Sequence, residues 1–113
     1  MESEVEKIFI IPFHVRRGAD SIMPVDFLGA YVSCFTSGES YVAATEKALA
    51  QLLQDGMVPE EISQPIFELA SGGWSEYIKE KWPSYVQLLP DQIDFDKAMR
   101  DGLVVYGPFG SYG

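Results

Sequence analysis

Residues 27–56 decide the fold and read FLGAYVSCFTSGESYVAATEKALAQLLQDG. The first part, 27–35, is rich in β-branched and aromatic residues and predicts a strand. Both faces of this strand are apolar, with Tyr31 and Phe35 on one and Val32 and Cys34 on the other. We therefore expect the strand inside a sheet that is covered on both faces, or in one that dimerises across a face.

The second part of this stretch, 39–55, predicts an amphipathic helix. Its apolar positions recur every three or four residues: Val42, Thr45, Ala48, Leu49, Leu52 and Leu53. This spacing places them on one helix face. Thr36, Ser37 and Ser40 supply capping side chains, and Gly56 stands where a left-handed residue commonly ends a helix. A strand that leads directly into such a helix favours an α+β domain.

Further elements are predicted on either side: a strand at 7–15, a loop at 16–26, two short extended pieces at 60–62 and 66–69 that form a third strand interrupted by proline, short helices at 74–82 and 94–101 (N-capped by Asp94), and a last strand at 103–106. Pro12 restricts the first strand to a sheet edge or a bulge, because proline donates no backbone hydrogen bond. The whole chain, 1–113, is expected to form a single α+β domain. Its sheet should be antiparallel or mixed, with about four strands; helix 39–55 should cross one face, with the shorter helices beyond it.

The predicted core takes residues from most of these elements: Ile10, Leu28, Ala30, Val32, Leu49, Leu52 and Phe67. Only one long helix is available to cover a sheet that is apolar on both faces. If the short helices do not cover the rest, we expect a homodimer to do so.

Composition excludes several classes of protein. The chain has 113 residues with 8 Lys and Arg against 17 Asp and Glu, a net charge of −9. Such a charge repels phosphate backbones, which argues against nucleic-acid binding. The lone cysteine, Cys34, forms no internal disulfide, and the acidic segment before residue 8 is unlike a signal peptide. No apolar stretch approaches the roughly 20 residues that span a bilayer, so we expect a cytoplasmic protein without a membrane segment.

The sequence offers little for catalysis, metals or cofactors. His14 is the only histidine, and no nucleophile is placed beside it by sequence, so an ordinary strand histidine is expected. Cys34 lies on an apolar strand face and is expected in the core. One histidine and one cysteine cannot make a common zinc site, and the acids at 91–96 lack the glycine of a calcium loop. We therefore expect no enzyme activity, no metal and no cofactor.

Aromatic residues, 13% of the chain, give the stronger signal, because tyrosine and tryptophan are enriched in protein-binding hot spots. The candidate protein-binding residues combine aromatic side chains with nearby acids: Trp74, Tyr77, Glu76, Glu80, Asp101, Tyr106 and Phe109. A net charge of −9 favours a basic partner. The alternative for Trp74 and Tyr77 is that they pack their short helix onto the sheet.

The run Cys34-Phe35-Thr36-Ser37-Gly38-Glu39 and the alanine-rich helix after it resemble the ββα core of HicB-type antitoxins. The resemblance covers about 7–69 and is closest over 34–53; it implies a ββαβ sheet. Val32-Ser33 replaces the proline-glycine pair usual in that family, and no DNA-binding extension follows, so operon repression is not implied.

These observations favour a non-catalytic protein-binding domain, an immunity protein or antitoxin that neutralises a basic toxin or effector. The alternative is a domain that binds a small ligand between sheet and helices. A small enzyme is the third hypothesis.

Overall fold

A computed structural model describes residues 7–18, 28–70 and 72–112. The strands in these residues are β1 (Lys7–Arg17), β2 (Gly29–Gly38), β3 (Met57–Ile62), β4 (Phe67–Leu69), β5 (Val105–Tyr106) and β6 (Gly110–Tyr112). The helices are α1 (Tyr41–Gln54), α2 (Trp74–Lys81), a 3₁₀ helix (Pro83–Leu88) and α3 (Gln92–Arg100). The predicted α+β class is confirmed, but the described residues form six strands where about four were predicted.

The extra strands arise because each outer position of the sheet is shared by two short strands. The strand order is β3-β1-β2-β5, and β4 also pairs with β1 while β6 also pairs with β2. All of these pairings are antiparallel. Pro65 lies between β3 and β4, and Pro108 lies between β5 and β6. Neither proline can donate to a strand ladder, which explains why the outer strands are interrupted.

Pro12 lies in a central strand, so the prediction that it marks an edge or a bulge was wrong. Phe13 pairs with Ile62 of β3 and Ile10 pairs with Phe67 of β4. Pro12 therefore faces the gap between these two outer strands, where no donor is required of it. Its carbonyl oxygen accepts a hydrogen bond from the Ser63 backbone N–H at 2.9 Å.

Helix α1 packs on one face of the sheet. Ser40 caps it by accepting a hydrogen bond from the Ala43 N–H at 3.2 Å, so the helix begins at Tyr41 rather than at 39. Alternate residues of β1 and β2 share this face with three fully buried residues of α1. The resulting core comprises Phe9, Ile11, Phe13, Val15, Ala30, Val32, Cys34, Ala44, Ala48, Leu52 and Met57.

Helices α2 and α3 pack on the opposite face, toward the end of the sheet where β1 begins. The second core comprises Ile10, Phe35, Leu69, Trp74, Ile78, Phe95 and Met99. Trp74 is fully buried, stacked on Phe95 with centroids 4.2 Å apart and edge-on to Phe35 at 4.9 Å. Its indole N–H donates a hydrogen bond to the Pro90 carbonyl at 2.7 Å. Trp74 therefore packs its helix onto the sheet and presents no binding surface.

The predicted core is wrong at two residues, Leu28 and Phe67. Ile10, Ala30, Val32 and Leu52 are buried and Leu49 is half-buried, but Leu28 is 65% exposed and Phe67 is 55% exposed. Leu28 lies one residue before β2 begins. Phe67 pairs with Ile10 and points to the α2 side of the sheet, into a part of that face that no helix covers.

Some element boundaries also differ from the predictions. Asp91 rather than Asp94 caps α3, because its carboxylate accepts the Asp94 N–H at 2.8 Å. β5 is limited to Val105–Tyr106, and the 3₁₀ helix and β6 were not predicted. Arg16, expected in a loop, belongs to β1. Residues 19–27, which hold most of that loop and the first residue of the predicted second strand, lie outside the described residues.

Candidate functional site

An open groove occupies the part of the α2-side sheet face that the helices leave uncovered. It has a volume of about 510 Å³ and lies between β1 and β2, the end of α2, the 3₁₀ helix and the loop before β6. Pro12 and Ser33, which are paired in register, contribute the sheet surface beneath it. The groove is therefore a direct result of how far α2 and α3 extend over the sheet.

Five aromatic side chains line the groove: Tyr31, Phe67, Tyr77, Trp82 and Tyr85. Three of them are largely accessible, since Tyr31 is 51% exposed, Phe67 is 55% exposed and Tyr85 is 46% exposed. Exposed aromatic rings grouped in one concave surface are typical of sites that bind protein side chains or small ligands.

Local sequence explains how several of these rings are held. Pro83 ends α2 and opens the 3₁₀ helix, which places Trp82 and Tyr85 along one wall. Trp82 lies against Gly107, where an added Cβ would come within 2.7 Å of the indole Cη2. The Gly107 N–H donates a hydrogen bond to the Ser33 carbonyl at 2.8 Å, so glycine lets the ring pack directly over the backbone.

The polar groups of the groove are few. Ser33, Ser63 and Gln64 are uncharged, and Lys81 is the one charged residue among the described residues that line it. No described carboxylate lies within 4.0 Å of the Lys81 ammonium group. The groove thus combines an apolar lining with a single cation.

Acidic residues flank the groove. Glu80 lies one helical turn after Tyr77 on the same side of α2, because residues three apart are neighbours on a helix. Glu61 pairs with His14 across β3 and β1 and lies on the same sheet face, with its side chain 64% exposed. These two carboxylates place negative charge beside the groove, of the same sign as the net charge of the chain.

The structure separates the predicted binding residues. Tyr77 lines the groove and Glu80 lies beside it. Phe109 also borders the groove, but its ring packs against Tyr106 and the α1-side core. Trp74 is buried, as described above, and Glu76 lies on the outer side of α2. Asp101 follows α3 and forms an ion pair with Lys97 at 3.1 Å, away from the groove.

Tyr106 also lies elsewhere, packed against the α1-side core. Its hydroxyl donates a hydrogen bond to an Asp55 carboxylate oxygen at 2.7 Å. Burial, together with this hydrogen bond and the Asp55 charge, raises the pKa of Tyr106 above its usual value. This residue is therefore held as a neutral structural contact between β5 and the end of α1.

Sequence reasoning missed two groove residues, Tyr31 and Phe67. Both occur in apolar strand segments, and residue type alone does not tell an uncovered strand position from a covered one. Trp82 and Tyr85 belong to an aromatic cluster that follows α2 in the sequence. That cluster is the sequence feature that could have indicated this wall of the groove.

The described residues hold no group of three or more His, Cys, Asp or Glu side chains that could bind a metal ion. Cys34 is buried, and burial raises the pKa of its thiol to about 12. The nucleophilic thiolate is consequently scarce at neutral pH. In the part of the chain that the structure describes, no helix has the length and apolar character needed to cross a membrane.

Comparison with known proteins gives no relative: no family model matches the sequence, and no curated protein or solved structure is significantly similar.

Proposed function

We propose that this protein is a protein-binding domain that neutralises a basic toxin or effector by covering part of its surface. The observation that carries the proposal is the groove lined by five aromatic rings, three of them largely exposed. Aromatic side chains contribute large contact areas and dominate the energy of protein interfaces. An apolar or aromatic side chain of the partner would enter the groove.

The charge of the protein supports a basic partner. The net charge is −9, and Glu61 and Glu80 lie on either side of the groove. Complementary charge around an apolar centre accelerates association and selects against acidic proteins. The resemblance of 34–53 to the ββα core of HicB-type antitoxins favours the same class of role.

The sheet edges are poor alternatives to the groove as a docking site. Partners often add a strand to an exposed sheet edge, and this requires an uninterrupted row of backbone donors and acceptors. Pro59 lies within β3, and Pro65 and Pro108 interrupt the two outer positions of the sheet. Proline at an edge prevents such pairing, which leaves the groove as the better surface for a partner.

Photo-crosslinking tests the proposal. With p-benzoylphenylalanine in place of Phe67, we expect one basic protein to be crosslinked in the cells that express this protein. The matched control is Ile93, which is apolar and 76% exposed but lies on α3 outside the groove. The proposal would be contradicted if the crosslink yield at position 67 were no higher than that at position 93. It would also be contradicted if position 67 captured only acidic proteins.

Binding of a small ligand is the second candidate function. The groove volume of about 510 Å³ lies in the usual range of ligand sites, and Lys81 is its one charged lining residue among those described. This combination fits an aromatic or apolar carboxylate. We expect 3-phenylpropanoate to raise the melting temperature of the wild type but not that of Lys81→Met if this candidate is correct. The absence of a crosslink at position 67 would favour it further.

A further inference from the structure

A polar group of side chains lies beside the groove on the same sheet face. Glu61, His14, Tyr31 and Tyr112 come from four different strands, β3, β1, β2 and β6. The Tyr112 hydroxyl oxygen is 2.6 Å from His14 Nε2, and a Glu61 carboxylate oxygen is 3.5 Å from His14 Nδ1. No hydroxyl could be placed beside His14 from the sequence, and the structure brings one there from a residue 98 positions later.

The position of Tyr112 depends on a glycine. Gly29 pairs with Tyr112 between β2 and β6, and the tyrosine ring lies directly over it. A Cβ at Gly29 would overlap the Tyr112 hydroxyl and lie 2.7 Å from Cζ. The absence of a side chain at this position is what lets the hydroxyl reach His14.

One face of the imidazole is covered by an aromatic ring. Its ring stacks on Tyr31, with centroids 4.7 Å apart and planes inclined by 18°. With a proton on Nδ1 facing Glu61, the Nε2 atom is free to accept the Tyr112 proton. A hydroxyl beside a base that is oriented by a third group is the arrangement that activates nucleophiles in covalent catalysis.

We propose that Glu61, His14 and Tyr112 form a relay that makes the Tyr112 hydroxyl an acyl acceptor for activated esters. The Tyr112 oxygen attacks the ester carbonyl carbon while His14 Nε2 takes the hydroxyl proton. The carbon–oxygen bond to the leaving alcohol breaks, and the alcohol departs with the proton from His14. Tyr112 is left as an ester, and no oxidant or reductant is required.

The groove supplies a place for the acyl group. Tyr31 lines the groove and its ring centroid is 6.1 Å from that of Tyr112. Gly110, two residues before Tyr112 on β6, also lines it. Apolar and aromatic acyl groups are therefore the substrate class. This activity is separate from the proposed function, since neither depends on the other.

Brief treatment with p-nitrophenyl acetate at neutral pH, followed by peptide mass spectrometry, tests the proposal. Tyr41 and Tyr85 serve as internal controls, because they are 57% and 46% exposed while Tyr112 is 40% exposed. Accessibility alone would make Tyr112 the slowest of the three. We expect Tyr112 to be acetylated first, and acetylation of Tyr112 no faster than Tyr41 would overturn the proposal.

Two variants separate the relay from a simple surface effect. His14→Gln should slow Tyr112 acetylation by at least about 100-fold, the usual contribution of a general base. Gly29→Ala keeps all three side chains but displaces the Tyr112 ring and brings a Cβ within 2.7 Å of the Val15 carbonyl oxygen, so it should slow the reaction as well. Far-ultraviolet circular dichroism of each variant reports whether the fold is intact, and the Tyr41 rate shows whether the reagent concentration is unchanged. An unchanged Tyr112 rate in His14→Gln, with Tyr41 also unchanged, would contradict the role of His14.

Glu61 acts as a positioning residue through His14. The titratable groups that face the imidazole are Glu61, Tyr31 and Tyr112, while Arg16 nearby is paired with Glu60. Glu61→Gln keeps a side-chain oxygen that can face the proton on His14 Nδ1, so it should retain more of the Tyr112 acetylation rate than Glu61→Ala. Equal rates in Glu61→Gln and Glu61→Ala would contradict the role of Glu61 in positioning His14.

Discussion

Replacing Trp74 with alanine should lower the free energy of unfolding by about 3–5 kcal/mol, the usual cost of truncating a large buried aromatic residue. Trp74 is fully buried between the sheet and α3, and it stacks on Phe95. The truncation also leaves the Pro90 carbonyl without the indole donor that it has at 2.7 Å. Urea denaturation followed by circular dichroism measures the change.

The control for this experiment is Leu88→Ala, because Leu88 is 79% exposed on the 3₁₀ helix. Its effect should stay within about 0.5 kcal/mol. Trp74→Phe, which keeps a ring against Phe95, should fall between the two. A loss below about 1 kcal/mol in Trp74→Ala would contradict the packing described for α2 and α3.

Removing two exposed rings from the groove should weaken binding of the crosslinked partner by at least about 30-fold, since interface hot spots contribute about 2 kcal/mol or more. The variant is Phe67→Ala with Tyr85→Ala, and isothermal titration calorimetry measures the affinity. Most of the loss of affinity should come from faster dissociation, because the rings form contacts only in the bound state.

The matched control replaces two apolar residues of similar exposure on α1, Val42 and Leu53, which are 51% and 59% exposed and lie outside the groove, and it should bind like the wild type. Glu61→Gln with Glu80→Gln should instead slow association, most of all at low salt. Equal affinity of the groove variant and the control would show that the partner binds elsewhere.

The central helix and the two long strands could be predicted from sequence because their signals are local. The spacing of Ala48, Leu49 and Leu52 defines one helix face, and the apolar run of β2 identifies a strand with apolar residues on both faces. β6 was missed because Gly110 and the proline before it indicate an irregular tail. Its pairing with β2 is set by tertiary contacts.

The groove could not be predicted, because it depends on where helix cover ends on one face of the sheet. Phe67 and Phe35 are similar residues in apolar strand segments, yet one is 55% exposed and the other is fully buried. Only the packing of α2 and α3 distinguishes them. The contact between His14 and Tyr112 likewise joins residues 98 positions apart, for which sequence spacing gives no signal.

NMR chemical-shift mapping of the labelled protein with its crosslinked partner is the most direct measurement of where the partner binds. We expect the largest changes at β4, the 3₁₀ helix and Phe109–Gly110, which surround the groove. The exposed side of α1, marked by Val42 and Leu53, should be unaffected. Changes confined to α1, with none around the groove, would contradict the assignment of the groove as the binding site.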